Sequence, residues 1–243
     1  MQLTVVGCSP AWPNPGGAQS GYLVERDGTS ALLDCGPGIL SRLRQETEWP
    51  DPDAIVLTHF HLDHWGDLVP WVWGAFHRQA RGAQVPKPDL WVPPGGVAKL
   101  EHFGELLGFP DMFESVFTVR EYTPEVEFEA GGLAVTAVVV PHYRVEAHAL
   151  RVEAGNRTLA YSGDSGPSAA LVGVARDADL FVCEATLLRD DLDGAPRGHL
   201  SLDEAQAAFE ESGAANLLVT HRPAELETPP EFVLAYDGMS LPV

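Results

Sequence analysis

Thr58-His59-Phe60-His61-Leu62-Asp63-His64 directly follows the apolar run Ala54-Ile55-Val56-Leu57. The apolar run has the length and the β-branched content of a buried strand, and the Gly66-Asp67 pair after the stretch is typical of the start of a helix. Three histidines and one aspartate, all potential metal ligands, therefore stand where a strand ends.

The spacing of these four side chains fits a metal site. His59 and His61 are two positions apart, so in extended backbone their imidazoles project to the same side and can share one ion. Asp63 and His64 lie beyond the turn, where they can face a second ion. Neutral imidazole with carboxylate suits zinc, with manganese or iron as alternatives. Burying such groups without a ligand would be costly, so we predict a metal centre here rather than a polar loop.

Length and composition favour one globular domain over residues 1–243. The chain is 45% hydrophobic and 21% charged, which is ordinary for a protein able to bury a full core. No apolar run approaches the length of a membrane span. The first cation is Arg26 and no basic segment precedes the first apolar residues, so we predict no signal peptide and expect a cytoplasmic location.

Charge and cysteine content restrict the partners and the redox chemistry. The formal net charge of −20 makes long nucleic acids unfavourable partners, because they bind to Lys/Arg-rich surfaces. A small anion can still bind, since bound metal ions dominate the field inside a site. Cys8, Cys35 and Cys183 are too few and too scattered for a disulfide framework or a Cys-x-x-Cys metal site, so we interpret them as small buried residues.

The pattern of a ligand-type residue at the end of an apolar strand recurs four times further along the chain. The strands and the residues after them are Leu133–Val140 with His142, Arg157–Tyr161 with Asp164, Leu180–Cys183 with Glu184, and Asn216–Thr220 with His221. Polar groups on loops at one edge of a rigid sheet predict an active site. The nearly unbroken apolar run 133–140 further predicts a central strand buried on both faces.

The remaining pattern predicts an alternation of strands and helices. Further strands are predicted over 2–6, 21–25, 30–34, 89–92, 116–122 and 148–153, and helices over 39–45, 68–76, 97–107 and 203–212. The last helix has Ser201 as a plausible N-cap and Glu204 to complete a capping box.

Taken together, His59-x-His61-x-Asp63-His64, His142, Asp164 and His221 resemble the ligand set of the metallo-β-lactamase superfamily. The resemblance spans nearly the whole chain and includes Leu32–Gly36 and Tyr161–Asp164. It implies an α/β fold of the αββα sandwich type, with two mixed sheets flanked by helices and the metals at one sheet edge.

The resemblance also implies the role of each ligand and the cofactor. His59, His61 and His142 would bind a first metal, Asp63, His64 and His221 a second, and Asp164 would bridge them. The expected cofactor is two Zn²⁺ ions, with Mn²⁺ or Fe as alternatives.

Two further motifs resemble one branch of this superfamily. Glu184-Ala185-Thr186 and Gly198-His199-Leu200-Ser201 resemble the Glu and His motifs of the ribonuclease Z-like phosphodiesterases, which implies phosphoester hydrolysis. Ribonuclease Z carries a long arm that grips transfer RNA between its third histidine motif and its bridging aspartate, but here His142 and Asp164 are only 22 positions apart. The missing arm and the acidic charge favour a small phosphodiester, such as a cyclic nucleotide or a short nucleic-acid end.

The catalytic hypothesis assigns roles to side chains around the predicted metals. A hydroxide bridging two metals would be the nucleophile, and Asp63 or Asp164 would orient the attacking water. His199, held by Glu184, would protonate the leaving alkoxide. His77, His102 and His148 have no partner of suitable spacing and are interpreted as structural or surface residues.

Several alternatives remain open from sequence alone. The same dimetal site suits a lactone or other acyl hydrolase, a ribonuclease Z-type RNA 3′ endonuclease uses the same motifs, and a non-catalytic metal-binding protein is a third class. No membrane partner is expected. The resemblance raises a homodimer as one option, for which the sequence has no heptad pattern.

Phe60 and Leu62 are predicted to pack inward, while Trp12, Trp65 and Tyr143 flank the predicted site as stacking surfaces or as core and rim residues.

Overall fold

Two β-sheets lie face to face at the centre of the fold in the computed structural model, which describes residues 1–243. The first sheet has seven strands, in spatial order β13 (Ser240–Pro242), β1 (Gln2–Gly7), β2 (Gly21–Arg26), β3 (Thr29–Leu33), β4 (Ala54–Val56), β5 (Asp89–Val92) and β6 (Thr118–Glu121). The second has six, in the order β12 (Leu217–Thr220), β11 (Leu180–Glu184), β10 (Arg157–Tyr161), β9 (Val145–Ala154), β8 (Leu133–His142) and β7 (Phe128–Ala130). Both sheets mix parallel and antiparallel pairs.

Helices cover the outer face of each sheet. Those on the first sheet are α1 (Ile39–Glu46), α2 (Leu62–Trp65), α3 (Leu68–Ala80) and α4 (Gly96–Leu106), and those on the second are α5 (Ala169–Ala175) and α6 (Leu202–Ser212). The layers therefore follow the order helix, sheet, sheet, helix, and the predicted αββα sandwich is confirmed. None of the helices combines the length and the apolar character needed to cross a membrane.

The alternation of side chains along the strands explains why the sheets stack. On β10, Leu159 and Tyr161 pack between the two sheets, whereas Ala160 packs against the helices. On β11, Val182 faces the other sheet and Phe181 faces the helices. Because both faces of these strands are covered, the sequence shows continuous apolar runs. Each large apolar side chain that is fully buried contributes roughly 1.5–3 kcal/mol to stability.

Strand β8 differs from the prediction at its outer face. It lies beside the edge strand β7, and its residues alternate between buried (Val135, Ala137) and partly exposed (Thr136, Val138) rather than being buried on both sides. Helix α5, which packs on this strand, spans roughly 10 Å, whereas β8 spans roughly 33 Å. The helix is too short to cover the whole strand.

Several short elements, among them β7, β13 and α5, were not anticipated from the sequence pattern. Strands β7 and β13 have three residues each, which is too short for a period-two alternation to stand out. Helix α5 is a seven-residue run of alanine, valine, leucine and glycine without any charged residue. Its start is stabilised by an N-cap, because the Ser168 side chain accepts a hydrogen bond from the Leu171 N–H. Packing on the sheet stabilises the rest of the helix.

Candidate metal centre and its surroundings

The predicted ligands converge at one edge of the sheets, where several strands end. Strands β10, β11 and β12 run parallel, and β8 runs in the same direction because β8 and β10 are both antiparallel to β9. Their carboxyl ends therefore meet, and they carry His142, Asp164, Glu184 and His221. The segment 58–64 reaches the same edge from β4 of the facing sheet. Ligand sites form at such carboxyl ends in α/β sheets.

The first cluster consists of His59, His61, His142 and Asp164, whose ligand atoms all lie within 4.8 Å of one another. Nε2 of His142 is 2.8 Å from Nδ1 of His61. Oδ2 of Asp164 is 3.8 Å from Nε2 of both His59 and His142. Three imidazole nitrogens and one carboxylate oxygen are a donor set that zinc favours.

The second cluster consists of Asp63, His64, His221 and again Asp164. Nε2 of His64 is 3.4 Å from Oδ2 of Asp63 and 3.3 Å from Oδ1 of Asp164. Nε2 of His221 is 3.2 Å and 3.5 Å from the same two oxygens. Asp164 thus presents Oδ2 to the first cluster and Oδ1 to the second. The structure brings all seven predicted ligands together and puts the predicted bridging carboxylate between the two groups.

In two candidate ligands, His142 and His64, the ring nitrogen that points away from the cluster is Nδ1, and it contacts a polar group outside the clusters. Nδ1 of His142 donates to the carbonyl oxygen of Gly198 at 2.7 Å. Nδ1 of His64 lies 2.7 Å from Oδ2 of Asp34. Partners of this kind fix the orientation and tautomer of metal-binding histidines, so that the other nitrogen faces the ion.

Replacing Asp34 by asparagine is expected to weaken metal binding by roughly 10- to 100-fold, the usual cost of losing such a partner. Asp34 also accepts hydrogen bonds from the Thr58 N–H at 2.8 Å and the Tyr161 hydroxyl at 2.9 Å, and an amide cannot accept from all of these donors. The dissociation constant is measured by competition with a chelator. Asp53→Asn, which alters an exposed hydrogen bond to Ser30, is the control. Unchanged affinity in Asp34→Asn would contradict the orienting role.

Three buried atoms of the clusters have no hydrogen-bond partner: Nε2 of His59, Nε2 of His64 and Oδ1 of Asp164. A buried polar atom without a partner costs about 1–3 kcal/mol. The donor set of imidazole and carboxylate suits zinc and similar transition metals. The residues present therefore fit bound metal ions, which would supply these atoms with partners.

The ionisation of the clusters also suits metal binding. Burial lowers the pKa of His59, His61 and His142, which keeps these imidazoles in the neutral form that binds metals. Burial opposes ionisation of Asp63 and Asp164, but the surrounding histidines outweigh it and hold the pKa of both carboxyls below its usual range. Neutral imidazoles thus face ionised carboxylates.

His64 lies between two carboxylates and differs from the other histidines. Burial opposes its charged form, but Asp164 and Asp34 outweigh burial and raise the pKa of His64 well above its usual value. The surroundings of this ring therefore favour a cation at Nε2, whether the cation is a proton or a metal ion.

A third group of side chains borders the second cluster. Nδ1 of His199 is 2.8 Å from Oε1 of the fully buried Glu184, and Glu184, His199 and His221 have ligand-type atoms within 4.8 Å of one another. Burial acts to lower the pKa of His199, but the Glu184 carboxylate outweighs it and raises this pKa to about 9. His199 is therefore protonated near neutral pH, and its Nε2 is free to donate.

The Thr186 hydroxyl connects this pair to the second cluster. Its oxygen is 2.9 Å from Nδ1 of His221 and 2.7 Å from Oε2 of Glu184. With Nε2 of His221 at the second cluster, Nδ1 carries the hydrogen and donates to Thr186, which in turn donates to Glu184. A continuous chain of hydrogen bonds joins a candidate metal ligand to His199.

The flanking apolar residues divide into core and rim. Trp65 is buried and packs against Phe60, so it belongs to the core, whereas Trp12 is half exposed.

Leu62, predicted to pack inward, is instead 59% exposed. The prediction assumed extended backbone, but residues 62–65 form helix α2, and a helical turn does not preserve the alternation of a strand.

The sequence pattern did not reveal the roles of Asp34, Thr58 and Thr186. The Thr58 hydroxyl donates to Asp34 at 2.9 Å and lies 3.1 Å from Nδ1 of His59. Asp34 follows strand β3, so the strand-end pattern used for the ligands also marks this residue. The two threonines carry no comparable signal, because a hydroxyl is common at a strand end and its partners come from distant parts of the chain.

Comparisons with known proteins agree on one family. The protein-family model described as the β-lactamase superfamily domain matches residues 29–222 of this chain. The chain is 33% identical over 224 residues to the probable metallo-hydrolase YhfI of Bacillus subtilis, covering 92% of this chain and 87% of that protein. It is 25% identical over 241 residues to ribonuclease Z of Mycobacterium bovis, covering 91% and 85%. The crystal structure of Bacillus subtilis YhfI matches with a TM-score of 0.85 at 24% identity, covering 99% of this chain and 98% of that one.

Proposed function

The chain belongs to the metallo-β-lactamase superfamily and is a hydrolase, and from this premise we propose that it cleaves small phosphodiesters with the help of two bound metal ions. The observation that carries the proposal is the hydrogen-bonded Glu184–His199 pair beside the second cluster. A proton donor held at this place serves a leaving group that departs as a basic alkoxide. An aryl lactone, whose phenolate leaving group is much less basic, has less need of such a donor.

The two clusters define which residues would hold the metals. One ion would be held by His59, His61 and His142, the other by Asp63, His64 and His221, and both by Asp164. Zinc fits this donor set, with manganese or iron as alternatives. When bound, two ions at such a site supply positive charge that polarises the phosphoryl oxygens and makes water nucleophilic at neutral pH.

The protein side chains would then position and move protons. Asp63 stays ionised because neighbouring histidines hold its pKa low, so it can accept a hydrogen bond from the attacking water and orient it. His199 would donate the Nε2 proton to the leaving oxygen, while Glu184 holds its Nδ1–H. The Glu184 carboxylate raises the pKa of His199, which favours the protonated imidazole that can transfer a proton to an alkoxide.

The segment between two candidate ligands supports a small substrate. Between His142 and Asp164 the chain forms only strands β9 and β10, which pair with each other within the second sheet. No protruding arm separates these ligands. Together with the net charge of −20, this supports a cyclic nucleotide or a short nucleic-acid end rather than a folded RNA.

The test combines metal analysis with a choice of substrates. We expect about two metal ions per chain and hydrolysis of bis(p-nitrophenyl) phosphate, lost in His64→Ala but retained in His77→Ala, a change at an exposed histidine of helix α3. An aryl lactone and a transfer-RNA precursor are offered in parallel. Turnover of the lactone without diester cleavage would identify an acyl hydrolase and overturn the proposal, and efficient cleavage of the precursor would overturn the assignment to small substrates.

A further inference from the structure

Tyr143 has an unusual backbone at the edge of the candidate site. It follows the candidate ligand His142 directly, at the turn between β8 and β9, and has a φ of +49°. Bulky residues rarely adopt this left-handed region, and those that do are often found at functional sites. The side chain is nevertheless 40% exposed, so burial of the ring alone does not account for the conformation.

The aromatic ring of Tyr143 is held by the segment that carries His199. The Tyr143 N–H donates to the carbonyl oxygen of Arg197 at 3.0 Å. The ring packs so closely on Gly198 that a Cβ at position 198 would overlap three of its ring carbons. Glycine is therefore needed at this position for the ring to lie where it does.

Asp193 accepts several hydrogen bonds from this segment. Its Oδ2 accepts hydrogen bonds from the N–H groups of Gly198 at 2.7 Å and His199 at 3.1 Å, and from Nε of Arg197 at 3.2 Å. The Asp193 side chain is only 4% exposed. Asp193 and Tyr143 are thus both hydrogen-bonded to the 197–199 segment, which places the ring at a defined position relative to His199.

The Tyr143 ring lies close to two histidines of the candidate site. Its centroid is 5.0 Å from that of His142 and 5.4 Å from that of His199. What Tyr143 offers to a ligand is a fixed aromatic surface.

We propose that Tyr143 forms the wall of a leaving-group subsite that recognises a nucleoside on the departing side of the phosphodiester. The inference rests on the proposed function, because it takes His199 as the group that protonates the leaving oxygen. An oxygen within reach of His199 places its substituent against the adjoining Tyr143 ring. Nucleobases stack on aromatic side chains whatever their sequence, so the subsite selects for a planar base without requiring a particular one.

One substrate with two possible leaving groups tests the proposal. The methyl ester of adenosine 5′-phosphate yields adenosine and methyl phosphate if the nucleoside departs, or methanol and adenosine 5′-phosphate if methanol departs. Both leaving groups are primary alkoxides, so their intrinsic reactivities are similar. We expect the metal-loaded wild-type enzyme to release mainly adenosine, and Tyr143→Ala to shift the product ratio about tenfold towards methanol, as loss of one stacking contact implies.

Two variants keep the test interpretable. Tyr143→Phe retains the aromatic face and should keep the wild-type ratio, whereas Tyr143→Leu retains bulk without an aromatic face and should behave like Tyr143→Ala, which covers the case that the alanine variant fails to fold. Release of methanol by the wild type, or a ratio that none of the variants changes, would overturn the subsite while leaving the phosphodiesterase proposal intact. Absence of any cleavage of this ester and of bis(p-nitrophenyl) phosphate would instead overturn the proposed function.

Discussion

Asp164→Asn is expected to leave the protein with at most about one metal ion per chain. Diester hydrolysis should fall by more than roughly 10- to 100-fold, which is the usual cost of losing a residue that only hydrogen-bonds to a metal ligand. Asp164 alone contributes to both clusters, with Oδ2 3.8 Å from His59 and Oδ1 3.3 Å from His64. An amide has one oxygen and an NH₂ group that cannot bind a cation. The neutral side chain also removes a carboxylate from a site otherwise rich in imidazole.

Metal content and activity are measured on the same dialysed preparation. Asp51→Asn, at an exposed aspartate before strand β4, serves as the matched control and should retain both metals and activity. In the wild type, a chelator should abolish hydrolysis and added zinc should restore it. Two metals per chain together with near wild-type turnover in Asp164→Asn would show that the bridging assignment is wrong.

The candidate ligands were predictable because each one follows an apolar strand. A buried strand in an α/β sheet reveals itself as an apolar run, and the polar residue after it must lie at the sheet edge. His142, Asp164 and His221 could therefore be selected without knowing how the strands pair. The resemblance added what the pattern lacks, namely which ligands group together.

The supporting residues were not predictable in the same way. Asp34 contacts His64 from 30 positions away, and Asp193 acts through backbone N–H groups of its own loop. No local period or spacing encodes such contacts, since they depend on how two sheets and a loop come together. The exposure of Leu62 and of one face of β8 was missed for the same reason, because local alternation does not indicate where a short helix begins or ends.

His199→Ala is expected to lower hydrolysis of dialkyl phosphodiesters by roughly 10²- to 10⁴-fold, the usual contribution of a positioned proton donor, without changing the number of metals bound. Its Nδ1 is engaged by Glu184 at 2.8 Å, so only Nε2 is available to the substrate. Glu184→Gln should give a smaller loss in the same direction, because the amide no longer stabilises the charged imidazole. Rates are compared with metal content measured for each variant.

The dependence on leaving group distinguishes proton donation from a structural role. p-Nitrophenolate departs without a proton, so His199→Ala should slow bis(p-nitrophenyl) phosphate far less than a dialkyl diester. His102→Ala, at an exposed histidine paired only with Glu105, should change neither rate. If His199→Ala instead slowed both substrates equally and lost metal, His199 would be a ligand. The three atoms of Glu184, His199 and His221 that lie within 4.8 Å of one another would then describe a third metal position rather than an acid beside a dinuclear centre.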